Sequence, residues 1–334
     1  MHQGIRVGLV GVGEMGRTHL PHLIARGGPV YVHASSRADD VVATHGGTAV
    51  NDYEELLGLV DVVDVAVPTP AHAELIERAL RAGKDVITEK PLARTDAEAA
   101  RIAALAAELG RTVFPAHVSR YFPEYRALEQ SVARGDLGAL AVLRFSRSGP
   151  YPMRSPWFRD RALSGGVIGD LMIHDLDVAR WVAGEVVKVS AVASSLPDAE
   201  APMEAAHVIL THASGAISQI SGVWGPQHID FTTEFSVAGT LGTLAHSSAA
   251  QRDYRADLVG PTEGVATAPA VDPAADPYAA ELDDFLTALE TGSTPRVSLD
   301  DGVHAVRLVT AALESVDRGA PVRLNPASAM GGAA

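Results

Sequence analysis

The residues of this chain with chemistry to offer fall into three groups. The first is the run Gly11-Val12-Gly13-Glu14-Met15-Gly16, set between an apolar strand pattern and a helical one. Gly11 permits a tight turn, the bare backbone at Gly13 admits a pyrophosphate, and Gly16 lets helix and strand pack closely. The helix start at Glu14 and Met15 then presents N–H groups and a partial positive charge to the anion. The second group is Lys90, which ends a strand at the carboxyl edge of an expected parallel sheet, where ligands of such sheets bind. The third is Asp170, His174 and Asp177. On one continuous helix from 167 to 183 they would lie within roughly 60° of one another, with Trp181 completing the stripe. An imidazole titrating near ~6.5 can accept a proton at neutral pH. A carboxylate one turn earlier can orient that ring, and an ammonium can steady a developing alkoxide. Beside a dinucleotide, this is equipment for taking hydride from a secondary alcohol, whose hydroxyl proton needs a base.

The elements that must position these groups follow from periodicity. Strands are expected at Ile5 to Val10, Val30 to Ala34, Val60 to Val67, Asp85 to Thr88 and Thr112 to Ala116. Between them lie helices at Met15 to Arg26, Ala71 to Arg81 and Asp96 to Leu109, the last capped by Thr95 or Asp96. Alternation of this kind makes a doubly wound parallel sheet, a Rossmann domain over residues 1–120. Beyond it the rhythm changes. A helix at Pro123 to Ala133 and a strand at Ala139 to Arg147 lead to an aromatic, Arg-rich loop, then to the helix 167–183. Successive alternating strands up to Val237 imply an open, mainly antiparallel sheet. The expected second domain is therefore α+β, spans 121–325, and serves substrate binding and oligomerisation. Residues 260–277 read as an irregular loop. Two C-terminal helices follow, Ala279 to Glu290 and Asp301 to Asp317, with the option of packing back on the first domain. Residues 326–334 read as a flexible tail.

Composition narrows the functions. The 334 residues carry a net charge of −14 and contain no cysteine, so disulfides, thiolate metal sites and cysteine nucleophiles are excluded. The histidines are scattered, and the alcohol-dehydrogenase type of zinc site needs cysteines, so no metal is expected. Acidity without basic clusters argues against a nucleic-acid partner. No apolar run approaches the ~18 residues of a membrane span, and the start of the chain lacks a leader pattern, so a cytoplasmic address is expected. At the end of the second strand, Ser36 and Arg37 stand where an acidic residue would hold the ribose hydroxyls of NAD. That pair suits a 2′-phosphate, so the expected cofactor is NAD(P) with a lean to NADP.

Several segments together resemble a known family. They are Pro68-Thr69-Pro70-Ala71-His72, the stretch Ala82 to Leu92 with Glu89-Lys90-Pro91, and Arg120-Tyr121-Phe122-Pro123. They continue in Gly165-Gly166-Val167-Ile168-Gly169-Asp170 with His174 and Asp177, in Tyr278 to Phe285, and in Ser298 to Leu324. In order, and over nearly the whole chain, they resemble the glucose–fructose oxidoreductase / inositol dehydrogenase / rhizopine-catabolism (Gfo/Idh/MocA) family, nearest its inositol dehydrogenase branch. A departure is Gly165-Gly166-Val167, where many members have three glycines. The resemblance implies a Lys90–Asp170–His174 trio with His174 as general base and Asp177 on substrate hydroxyls. It implies that Pro68, Thr69, Pro70, His72 and Lys90 line the cofactor, with Glu89 serving the cofactor or packing. His117 and Trp157 are further candidates for substrate contact. Arg120 and Arg159 are weaker ones, equally readable as structural ion-pair or lid residues, and Pro91 is open to the cis form. The implied activity is oxidation of a secondary hydroxyl of a sugar or cyclitol by a homodimer or homotetramer. A keto-sugar reductase and a non-catalytic cofactor-binding regulator remain the alternatives.

Overall fold

Strand β1 (Val7–Val10) is buried throughout, as are β4 and β6 below, because helices cover both faces of the sheet they build. The structure, a computed structural model, describes residues 4–35, 38–153, 156–196, 202–249, 255–258 and 276–325. After β1 come α1 (Glu14–Ala25), β2 (Val30–His33), α2 (Ala38–His45), β3 (Thr48–Ala49) and α3 (Tyr53–Leu59). Then follow β4 (Val62–Val65), α4 (His72–Arg81), β5 (Asp85–Glu89), α5 (Asp96–Leu109) and β6 (Val113–Ala116). The six strands pair in parallel in the order β3-β2-β1-β4-β5-β6. The order reverses between β1 and β4, which puts the ligand crevice at their carboxyl ends. Thr95 caps α5 by accepting from the Glu98 N–H. The segment α2-β3-α3 is new relative to the sequence reading. Its helices are short, with α3 capped by Asp52, and a two-residue strand leaves no alternation to read.

The second sheet has eight strands. Its elements are α6 (Pro123–Ala133), β7 (Leu140–Pro150), α7 (Arg161–Ser164), α8 (Gly166–Asp170), α9 (Ile173–Ala183), β8 (Val186–Leu196) and β9 (Met203–His212). They continue with β10 (Ile217–Gly225), β11 (Thr232–Gly239), β12 (Gly242–Ser247), β13 (Arg255–Leu258), α10 (Pro277–Thr291), α11 (Leu299–Arg318) and β14 (Val322–Arg323). The order is β13-β12-β11-β7-β10-β9-β8-β14, antiparallel at every junction except β7 with β10. Alternation sorts its faces. Ala206, Val208, Leu210, Ile220 and Trp224 are buried, whereas His207, Ile209, Ile217 and Gln219 occupy the opposite face.

By its contacts the chain divides into Met1–Phe122 with Ala274–Arg307, and Pro123–Pro273 with Leu308–Ala334. Helix α10 therefore counts with the first unit. Its Leu282, Phe285 and Leu286 share a core with Leu9, Leu20, Leu23 and Phe114. Phe285 stacks on Phe114 at 5.1 Å between ring centroids. The reading of 260–277 as a loop lies outside the described residues up to 275, as does the tail 326–334.

One expectation fails. The helix drawn from 167 to 183 is two helices, α8 and α9, joined at Leu171-Met172. There the Met172 N–H bonds the Val167 carbonyl at 2.9 Å, one residue further back than an α-helix allows. The Met172 side chain fills the space beside Gly222 of β10, where a Cβ would collide with it.

Candidate active site

The glycine loop has the shape its sequence demands. Gly11 has φ +102°, and a Cβ there would collide with the carbonyl oxygen of Ala66. A Cβ on Gly16 would collide with the Gly11 carbonyl, so strand and helix touch through bare backbone. Gly13 differs. A Cβ there would meet nothing within 4 Å, and Gly13 N-caps α1 without a side chain to satisfy the first N–H groups. That open space over a helix N-terminus fits a diphosphate. Val12 and Met15 are half-buried against the core of this unit, and Glu14 is exposed. Ser36 and Arg37, which carry the lean to NADP, lie outside the described residues.

Further along the same carboxyl edge, β4 leads into a turn with Pro68 exposed, Thr69 buried and Pro70 exposed. His72 opens α4 and is buried. Strand β5 delivers Glu89, buried, and Lys90, half-buried, and the Lys90–Pro91 peptide is cis. Helix α1 turns His19 inward with Gly16, Leu20 and Leu23, against Asp64 of β4. His117, just beyond β6, is fully buried. Arg120, a candidate substrate contact in the sequence, is buried and pairs with Asp301 at 3.0 Å, while its Nη1 donates to the Arg296 carbonyl. Burial opposes the charge on Asp301, yet Arg120 and the Ser298 N–H hold its carboxyl down at about 2. Arg120 thus has the buried ion pair that the structural reading requires.

In the second unit, Asp170 ends α8, and His174 and Asp177 sit in α9. Asp170 and His174 are half-buried and Asp177 is buried. Because the turn at Leu171-Met172 separates Asp170 from His174, their relation is set by that turn and not by a helical repeat. What fixes α9 is Asp175. Its carboxylate accepts from Arg147 Nη2 at 2.8 Å and Nε at 3.2 Å, and Arg147 also donates to the Tyr125 hydroxyl. At the start of α8, Glu204 of β9 occupies the position a Cβ on Gly166 would need. Burial pushes the Glu204 carboxyl up, against the Val167 N–H that favours its charge. Trp157 is half-buried and stacks on Phe158 at 4.0 Å, and Arg159 is exposed.

The candidates therefore form two sets, one per unit: the glycine loop, Thr69, His72, Glu89 and Lys90 in the first, and Asp170, His174, Asp177 and Trp157 in the second. His19, Asp64, Arg147 and Asp175 escaped the sequence reading. A signal existed for Asp64, a charge inside an otherwise apolar strand, and for His19, which follows Gly16 at helical spacing. Among the described residues no group of three or more His, Asp or Glu could hold a metal ion. Nor is any helix among them long and apolar enough to cross a membrane.

Comparison with known proteins agrees with this layout. Residues 5–117 match the model of an oxidoreductase family with an NAD-binding Rossmann fold, and residues 125–245 match the GFO/IDH/MocA C-terminal domain. An inositol 2-dehydrogenase of Rhizobium meliloti (strain 1021) is 29% identical over 93% of this chain and 97% of its own length. A 1,5-anhydro-D-fructose reductase of Ensifer adhaerens is 30% identical over 94% of this chain and 97% of its own. Among solved structures, a levoglucosan dehydrogenase in complex with NADH and L-sorbose superposes with a TM-score of 0.87. It covers 97% of this chain and 99% of its own, at 21% identity, and so speaks for the fold alone.

Proposed function

Because the chain belongs to the GFO/IDH/MocA oxidoreductases, with their NAD-binding Rossmann domain, we propose that it oxidises a secondary hydroxyl of a sugar or an inositol-like cyclitol. The observation that carries this reading is Lys90, delivered by β5 to the same sheet edge as the open cradle at Gly13. Gly11 to Gly16, with Pro68, Thr69 and Pro70, hold the cofactor, which supplies a hydride acceptor when bound. Lys90 donates a hydrogen bond to the reacting oxygen and steadies the alkoxide character it gains as hydride leaves its carbon. His174 accepts the hydroxyl proton, Asp170 orients the imidazole, and Asp177 and Trp157 hold the rest of the substrate. Run in reverse, the same residues protonate a carbonyl, the direction in the name of the 1,5-anhydro-D-fructose reductase relative.

Lys90→Ala and His174→Ala are each expected to lower kcat by about 100-fold or more while cofactor affinity stays near wild type. Near-full turnover in either variant would remove that residue from the mechanism. Ser36 and Arg37 make NADP the preferred cofactor in this proposal, and a higher kcat/KM with NAD would contradict it. The proposal extends to a homodimer or homotetramer through the outer face of the eight-stranded sheet. That face carries exposed Val192, Ile209 and Ile217, and a groove of about 800 Å³ lined by Arg144, His207, Gln219 and Glu234. Light scattering that finds only monomer at micromolar concentration would count against it.

A further inference from the structure

The residues on either side of Lys90, Glu89 and Pro91, are each contacted by a buried imidazole. On one side the Lys90 backbone N–H donates to Glu89 Oε2 at 3.1 Å. The other Glu89 oxygen lies 3.3 Å from His19 Nε2, and His19 Nδ1 lies 2.9 Å from Asp64 Oδ2. The His19 and Asp64 side chains are wholly buried. The Asp64 contact is a hydrogen bond and the Glu89 contact an ion-pair approach, and a ring protonated on both nitrogens presents a proton to each carboxylate. Burial opposes that charge, but Asp64 and Glu89 together raise the His19 imidazole well above its ordinary range. The chain of contacts thus runs from β4 through α1, the helix of the glycine loop, to β5 and the lysine.

On the other side, His72 Nδ1 lies 2.8 Å from the Pro91 carbonyl oxygen and its Nε2 lies 2.8 Å from that of Val67. A carbonyl can only accept, so this ring also makes both bonds only when both nitrogens carry protons. Burial pushes His72 toward the neutral form, and the two carbonyls and Glu89 oppose it. Through His72 the residue after Lys90 is tied to Val67, the residue that opens the Pro68-Thr69-Pro70 turn. Behind the lysine, the His19 ring thus lies between two carboxylates and the His72 ring between two backbone carbonyls.

We propose that His19 and His72 are positioning residues for Lys90, two buried braces that tie the Glu89–Pro91 segment to the cofactor-binding elements of the sheet edge. Neither ring touches substrate in this account. Each acts by fixing the direction of the lysine relative to the glycine loop. The inference rests on the reading that Lys90 carries chemistry, and its test is built to separate the two.

The experiment is a double-mutant cycle in the full-length enzyme, combining His19→Gln and His72→Gln each with Lys90→Ala. Alone, each glutamine variant is expected to lower kcat at least tenfold with substrate KM and NAD(P)H affinity within about threefold of wild type. In the Lys90→Ala background the same change should cost less than twofold, because the brace has lost what it positions. An equal kcat loss in both backgrounds would overturn the proposal, since it would mean the histidines act on the fold at large. Full activity of Lys90→Ala would instead overturn the catalytic reading of Lys90. Imidazole ¹⁵N spectra of the wild-type protein at the assay pH serve as the second measurement, and decide the matter if a variant fails to fold or Lys90→Ala stays active. Protons on both nitrogens of both rings support the braces, and a ring lacking one overturns its brace.

Discussion

Replacing Asp175 with Asn tests how the helix bearing His174 is held. The Arg147 and Asp175 side chains are 7% and 1% exposed, and their contact is two-pronged, at 2.8 and 3.2 Å. Asn keeps the shape and one acceptor but leaves a buried guanidinium without its counter-charge. Removing one partner of such a pair costs about 3–5 kcal/mol, and the retained acceptor puts Asp175→Asn at the lower end, about 3 kcal/mol. For a unit of this size that is a fall in Tm of about 6–12 °C by thermal unfolding followed in circular dichroism. Because Asp175 stands between His174 and Asp177, kcat should fall as well. The double variant Arg147→Met with Asp175→Leu removes both charges and both desolvation costs, and should return to within about 1 kcal/mol of wild type. A loss below about 1 kcal/mol in Asp175→Asn, or no recovery in the double variant, would refute the reasoning.

Three further outcomes follow from other sites. Gly13→Ala should leave Tm unchanged yet weaken NAD(P)H binding tenfold or more in a fluorescence titration, because its Cβ enters only the open cradle. Gly16→Ala should destabilise the chain by about 1–3 kcal/mol, because its Cβ has no room against the Gly11 carbonyl. For Asp301, the folded carboxyl sits at about 2 against an ordinary 3.8. Its stabilising contribution is therefore complete above pH ~4 and is lost as pH falls towards 2. Urea unfolding should show wild type about 2 kcal/mol more stable than Asp301→Asn at pH 7, with the gap closing in acid. A gap independent of pH would contradict the assignment to Arg120.

What was legible in the sequence was local. Gly11, Gly13 and Gly16 announce their turn because each needs the absence of a side chain for its own reason, and strands β1 and β4 announce themselves by short runs without a charge except Asp64. The break between α8 and α9 was hidden because it is decided by Met172 packing at Gly222, fifty residues away in sequence. Nothing in the apolar pattern of α10 states which sheet it covers, and its place beside Phe114 is a tertiary fact. The Arg147–Asp175 and His19–Asp64 contacts were invisible for the same reason. A charge in an apolar run says that a partner is required, but does not say where the partner lies.

The central proposal is that an amine from the edge of the parallel sheet and an imidazole from α9 act on one substrate oxygen. A crystal structure with bound cofactor and a sugar or cyclitol tests it most directly. The account predicts Lys90 Nζ and a His174 ring nitrogen both within about 3.2 Å of the reacting oxygen. Either group lying more than about 6 Å from that oxygen in the complex would contradict it.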